Sequence, residues 1–108
     1  MNYNSRVDDK CYLFFETLGT KLKVSIITKL EKQSIGVNKL SRQLGQERSK
    51  VSHALKSLLE CGFVAAKKNG RERNYSLNTH TIVPLLNIVK THVKKYCKVC
   101  RKKTGVKK

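Results

Sequence analysis

Residues 47–61 constrain this chain more than any other segment. Val51, Ala54, Leu55, Leu58 and Leu59 recur at the three- and four-residue spacing of a helix with one apolar side. Gly62 follows as the left-handed residue that closes such a helix. The opposite side displays Ser49, Ser52, His53 and Lys56, with Arg48 and Lys50 near the entry end. A helix patterned in this way must rest on a body of other elements and leave its polar side outward. Directly after it, FVAAKK and RERNYSL flank Asn69-Gly70, the strongest short hairpin signal and the signature of a type I′ turn.

The remaining segments supply the body. Apolar residues at Cys11, Phe14, Phe15, Leu18 and Leu22, then Ile26, Ile27 and Leu30, fit two helices meeting near Gly19. After a break at Gly36, Asn38 is placed to cap a brief helix carrying Leu40 and Leu44, which Gly45 ends. A final helix starts near residues 79–81, tolerates Pro84 in its first turn and runs to about Cys100 with Ile82, Leu86, Val89, Val93 and Tyr96 as its stripe. The expected fold is mainly α with a small β-hairpin, in the order of a winged helix-turn-helix with extended first and last helices. Residues 1–100 form the domain, and residues 101–108, RKKTGVKK, a mobile basic tail. A chain of 108 residues has room for one such domain and none for a large multi-layer enzyme fold.

Charge narrows the partner. Lys and Arg number 24 against 7 Asp and Glu, a formal net charge of +17. It is graded, at +2 over residues 1–35, +6 over 36–77 and +9 over 78–108. Self-repulsion on that scale opposes folding unless a polyanion or counterions offset it, which makes nucleic acid the first candidate. A membrane surface is the second, but no run approaches the 18 or more apolar residues of a spanning helix. The N-terminal MNYNSRVDDK lacks the apolar core of a secretory signal, so the expected location is cytoplasmic, on the nucleoid.

A helix-turn-helix holds its second helix so that the outer face enters the roughly 12 Å major groove of duplex DNA. Arg48, Ser49, Lys50, Ser52, His53 and Lys56 mix phosphate-neutralising groups with side chains that reach base edges. The same pattern also serves an ordinary solvated face. Lys67, Lys68, Arg71 and Arg73 crowd the hairpin, where a basic ribbon lies along a phosphate ridge or puts an Arg into the minor groove. Exposed Lys on a strand also blocks edge-to-edge association. Three Phe and four Tyr, mostly on core stripes, leave little for the stacking platform of single-strand RNA binders. Paired carboxylates, a nucleophile with its base and a phosphate-cradling Gly loop are all lacking in the sequence, so an enzyme is not expected.

LGTKLKVSIITKL, followed by VNKLSRQLGQERSKVSHALKSLLECGFVAAKKNGRERNYSL, resembles the arsenic-repressor (ArsR) type winged-helix regulators of bacteria and archaea from about residue 11 to residue 96. The most specific part is VSHALKSLLECGFV running into the basic hairpin. The resemblance implies a transcriptional regulator that is a homodimer through its first and last helices and presents two recognition helices to a pseudo-palindromic operator. Phe14, Phe15, Val89, Val93 and Tyr96 exceed what one small core needs and offer the material for that interface. Two positions depart from the family pattern: Glu47 stands where a hydroxyl cap is usual and Gln46 where an apolar residue is usual. Glu47 suits a helix start but repels phosphate, which weakens sequence-specific contact more than DNA contact as such. A DNA-coating architectural protein with little sequence preference, using the basic C-terminal third, is the alternative.

Four cysteines, Cys11, Cys61, Cys97 and Cys100, complete the inventory, and in a reducing compartment structural disulfides are not expected. The family's metal sites do not carry over, because VNKLSRQLG has no thiol and the last helix offers Asn78, His80 and His92. His92 with Cys97 and Cys100 supplies part of a zinc shell, which Cys11 or a second copy of the chain would complete. Lys95, Lys98, Arg101 and Lys102 alternatively favour a redox-active thiolate pair, and an inert pair is the third reading. No motif requires a resident cofactor. Cys61 and Cys11 read as small buried residues.

Overall fold

The computed structural model describes residues 5–100, with side chains from Cys11 onward. The expected tail at 101–108 lies outside the described residues. The chain divides after Leu77 into two compact units.

The first unit runs α1 (Ser5–Leu18), α2 (Lys21–Leu30), β1 (Ile35–Gly36), α3 (Val37–Leu44), α4 (Arg48–Glu60), β2 (Val64–Asn69) and β3 (Glu72–Leu77). Its core is made by Ile26, Ile27 and Leu30 of α2, Leu40 of α3, and Val51, Leu55 and Leu58 of α4. Phe63 and Val64 close it from the chain leaving α4, with Tyr75 and Leu77 on β3. The helices and the hairpin therefore share one core, as the apolar stripes require.

Local chemistry fixes the boundaries. Thr20 accepts a hydrogen bond from the Lys23 amide at 3.2 Å and starts α2. At the end of α4 the Phe63 amide donates to the Leu58 carbonyl at 2.9 Å and the Gly62 amide to Leu59 at 3.1 Å, a Schellman closure with Gly62 at φ +77°. Buried Phe63 stacks on Phe14 with ring centroids 4.8 Å apart, which ties α1 to the end of α4. Thr17, the buried polar residue of α1, lies 3.4 Å from the Cys61 sulfur through its hydroxyl.

Several expectations are corrected. Asn38 does not cap α3; Gly36 occupies that position and Asn38 lies inside the first turn, where its carbonyl accepts from the Ser41 hydroxyl. The sheet has three strands in the order β1-β3-β2, because Ile35 and Gly36 pair with Tyr75 and Asn74. Asn69 is not a central turn residue: it pairs with Glu72, so Gly70 and Arg71 make the turn. Only Gly70 of that pair has positive φ, +67°, as at the first central position of a type II′ turn, rather than both residues as in type I′. Cys11 and Cys61 are exposed rather than buried: the ring that ties α1 to the end of α4 is Phe14, and Cys61 meets α1 at the Thr17 hydroxyl while keeping most of its surface open.

The second unit holds α5 (Ile82–Tyr96). The Asn78 side chain accepts from the amides of His80 at 2.9 Å and Thr81 at 3.3 Å, while its carbonyl accepts from Ile82 and Val83. The helix stops at Tyr96, short of the expected Cys100. Cys97 takes an extended conformation, φ −93° and ψ 93°, and its sulfur accepts from the Cys100 amide as a capping side chain does. Among the described residues no helix is long and apolar enough to cross a membrane.

Candidate nucleic-acid interface

The recognition face begins with what α4 hides. Val51, Leu55 and Leu58 have no accessible surface, so the helix cannot roll without exposing them. Arg48, Ser49, Lys50, Ser52, His53 and Lys56 are consequently all exposed. α3 packs across α4, and the turn between them is set by Gly45 at φ +64° and by the Gln46 amide donating to the Ser41 carbonyl at 3.0 Å. Glu47 starts α4 without a side-chain capping hydrogen bond.

The surface around α4 extends beyond the residues that the sequence singles out. The start of α2 runs beside α4, and a groove of about 510 Å³ between them carries Lys23, Lys50 and His53. Lys23 was not legible as part of a site, because it sits in a helix recognisable only by its apolar residues. Its proximity to α4 is a tertiary fact.

On the wing, Lys67, Lys68, Arg71 and Arg73 are exposed, as the hairpin pattern anticipates. Register gives them distinct aspects. Arg73 shares a face of β3 with the buried Tyr75 and Leu77 and stands directly opposite Lys68, whereas Lys67 pairs with Asn74 on the other face. Arg73 and Arg71 meet Arg48 and Ser52 of α4 and Asn38 of α3 around a cleft of about 290 Å³, with Glu72 at its edge. The helix and wing sets are thereby joined into one surface. Asn38 and Glu72 join it only because β1 pairs with β3 and brings the start of α3 against the wing.

The cysteine constellation is only partly assembled. Cys97 and Cys100 are joined in a disulfide with their Cα atoms 5.4 Å apart, contrary to the expectation that the chain carries no disulfide. Cys11 is free, and the exposed His92 ring lies 5.4 Å from that of Tyr96. Among the described residues no three His, Cys, Asp or Glu side chains gather into a group able to hold a metal ion. The residues as arranged do not fit a zinc ion: bonded sulfurs are not thiolate ligands until they are reduced.

Comparison with known proteins agrees with this geometry. The chain is 33% identical over 72 residues to the HTH-type transcriptional regulator NmtR of Mycobacterium tuberculosis, a match spanning 67% of this chain and 60% of that relative's length. Among solved structures, Rv0081 of M. tuberculosis superimposes with a TM-score of 0.76 at 26% identity, over 84% of this chain and 91% of that one. The homodimeric winged helix-turn-helix DNA-binding domain Mb0332 of Mycobacterium bovis gives a TM-score of 0.79 at 16% identity, over 91% of each chain, and speaks for the fold alone. Residues 20–66, from the cap of α2 into β2, match the model of the bacterial regulatory proteins of the arsR family. From the cap of α2 into β2 this chain is thus similar to the bacterial regulatory proteins of the arsR family, and its fold to winged helix-turn-helix domains.

Proposed function

We propose that this protein regulates transcription as a homodimer bound to duplex DNA, with α4 in the major groove and the β2–β3 wing on the backbone or in the minor groove. One observation carries the reading. The polar face of α4 is free along its length while the apolar face is fully buried, so a convex cationic helix stands out beside a cationic ribbon. The family supports regulation, and the homodimeric state of the Mb0332 domain supports a dimer. Tyr12, Leu13 and Phe15 on α1, and Ile88, Val89 and Tyr96 on α5, are large exposed apolar residues suited to pairing the first and last helices of two copies.

The test is the salt dependence of binding to a duplex. Each lost phosphate contact removes about 0.9 from the slope of log K against log salt, so Lys50→Ala with Lys56→Ala flattens the slope by up to about 2. A slope unchanged by that double substitution refutes the assignment of α4. The architectural alternative draws on the nine cations and no acids of residues 78–108. Competition between a duplex selected from a random pool and unselected DNA decides, since equal affinities favour coating.

A thiol-linked modulation of binding through Cys97 and Cys100 is the reading their bond favours over zinc held by Cys97, Cys100, Cys11 and His92. Zinc would require reduction first, together with ligands from a second copy.

A further inference from the structure

We infer that the groove between the start of α2 and α4 is a binding site for a small organic acid, a flat apolar body bearing one carboxylate or sulfonate, whose occupancy excludes duplex DNA. The exclusion rests on the proposed reading of α4, whereas the site itself does not.

The groove forms where two apolar stripes end together. Leu22 begins the stripe that Ile26 and Leu30 continue at four-residue spacing, yet those two are buried and Leu22 is only half covered. On α4, which packs against α2, Ala54 stands one turn after Lys50 and one turn before buried Leu58. Its single methyl group is too short to fill the space beside Leu22. The result is a trench of about 510 Å³ with Leu22 and Ala54 in its lining, within the roughly 300–1,000 Å³ of small-molecule sites.

Charge selects the occupant. Lys23 and Lys50 line the trench together with the His53 ring, and among the described residues no acidic side chain does. A neutral apolar occupant would cover the ammonium groups and leave them without a partner, at a cost in desolvation. A multiply charged phosphate would set its charge against Leu22 and Ala54. An apolar body with one anionic group satisfies both, with the anion at the lysines and the rings against Leu22.

Length favours a small molecule over a protein segment. From Ser49 to Ala54 the trench follows α4 for about 7.5 Å, at 1.5 Å per residue. A docked helix needs anchors spread to i+7, about 10 Å apart on the same rise. The trench also shares Ser49, Lys50 and His53 with the face proposed to enter the major groove, so an occupied trench blocks that face.

The experiment uses the full-length chain, isotopically labelled, with 2-naphthoate as the probe and backbone amide shifts as the readout. Saturable shifts are expected at Leu22, Lys23, Lys50 and Ala54 below millimolar probe. The neutral isostere 2-naphthalenemethanol is expected to bind about tenfold or more weakly, the scale of a hydrogen bond to a charged group. Leu22→Gln is expected to weaken naphthoate at least several-fold while leaving duplex affinity unchanged. Ala54→Leu, which fills the trench, should abolish the shifts; Leu22→Gln, at a half-covered position, keeps the test open if that variant does not fold. In anisotropy titrations of a fluorescent duplex, naphthoate at ten times its own Kd should raise the apparent duplex Kd about tenfold for wild type, by mass action, and much less for Leu22→Gln.

Failure of naphthoate to saturate the trench below millimolar concentration overturns the inference. So does equal binding of the alcohol, which removes the role of the lysines, or binding that Leu22→Gln leaves untouched. Shifts centred on exposed Tyr12 and Phe15 instead would assign the probe to another apolar surface. Shifts at Leu22 and Ala54 that follow protein rather than probe concentration would assign the trench to a second copy of the chain. Either result refutes the site. Duplex and naphthoate bound together without competition refute the exclusion. The shifts decide the site whether or not duplex binds, so failure of the wild type to bind any duplex refutes the proposed function and the exclusion that depends on it, but not the site.

Discussion

Leu55→Ala is the substitution that most directly tests which way α4 faces. Leu55 sits in the middle of the helix with no accessible surface, between Val51 and Leu58, which are equally enclosed. Truncation removes the transfer free energy of the lost methyl and methylene groups and leaves a cavity that neighbours from α2 and α3 fill only in part. Together these cost about 2–5 kcal/mol at comparable core leucines. A domain of this size has about 5–15 kcal/mol of stability in all. At roughly 4–8 °C per kcal/mol, the melting temperature should fall by at least about 8 °C.

Ser52→Ala, on the same helix but on its free face, is the control and should move stability by no more than about 0.5 kcal/mol. Circular dichroism melts of both variants, supported by urea titrations with unchanged m-values, make the comparison. The functional readouts should invert. Below its own transition Leu55→Ala keeps the DNA affinity of the folded fraction, because it removes nothing that touches solvent, whereas the exposed face governs binding. If Ser52→Ala destabilises as much as Leu55→Ala, or Leu55→Ala costs less than about 1 kcal/mol, the rotation of α4 is wrong and the interface built on it fails.

Two further outcomes follow from contacts outside that helix. A double-mutant cycle between Phe14→Leu and Phe63→Leu, read by chemical denaturation, should show a favourable coupling of about 0.5–1.5 kcal/mol for the stacked pair, and additive effects would refute its role in holding α1. Under denaturing conditions iodoacetamide should label two cysteines, Cys11 and Cys61, and four after reduction; mass spectrometry counting four labels without reductant would refute the Cys97–Cys100 bond.

The legibility of this fold depended on how many residues each element spends on one pattern. α4 spends 13 residues on one apolar spacing, and its extent and orientation follow from the sequence alone. β1 has two residues, Ile35 and Gly36, too few for any period, and its existence is decided by the partner strand. The wing lies between these cases. Asn69-Gly70 located the hairpin, but the pairing that sets the turn comes from its far end, where buried Val64 faces buried Leu77 and Ala66 faces buried Tyr75. A shift by one residue would turn those side chains to the other face, so burial outweighs the turn dipeptide and moves the tip to Gly70-Arg71. The same register explains why Arg73 addresses α4 and Lys67 does not.

Charge density alone points to a different third of the chain from the one that the fold shapes. Residues 78–108 carry nine cations and no acid, yet the described surface that combines cations with shape belongs to residues 36–77, where three acids accompany nine cations. Charge by itself attracts any polyanion and is screened within about 8–10 Å at ordinary salt. Arg48 and Arg73, held by a buried helix face and by a strand register, line one cleft. Substitutions in the two segments should separate specific from non-specific affinity: those in 36–77 changing discrimination between duplexes, those in the C-terminal third changing the affinity for all of them together.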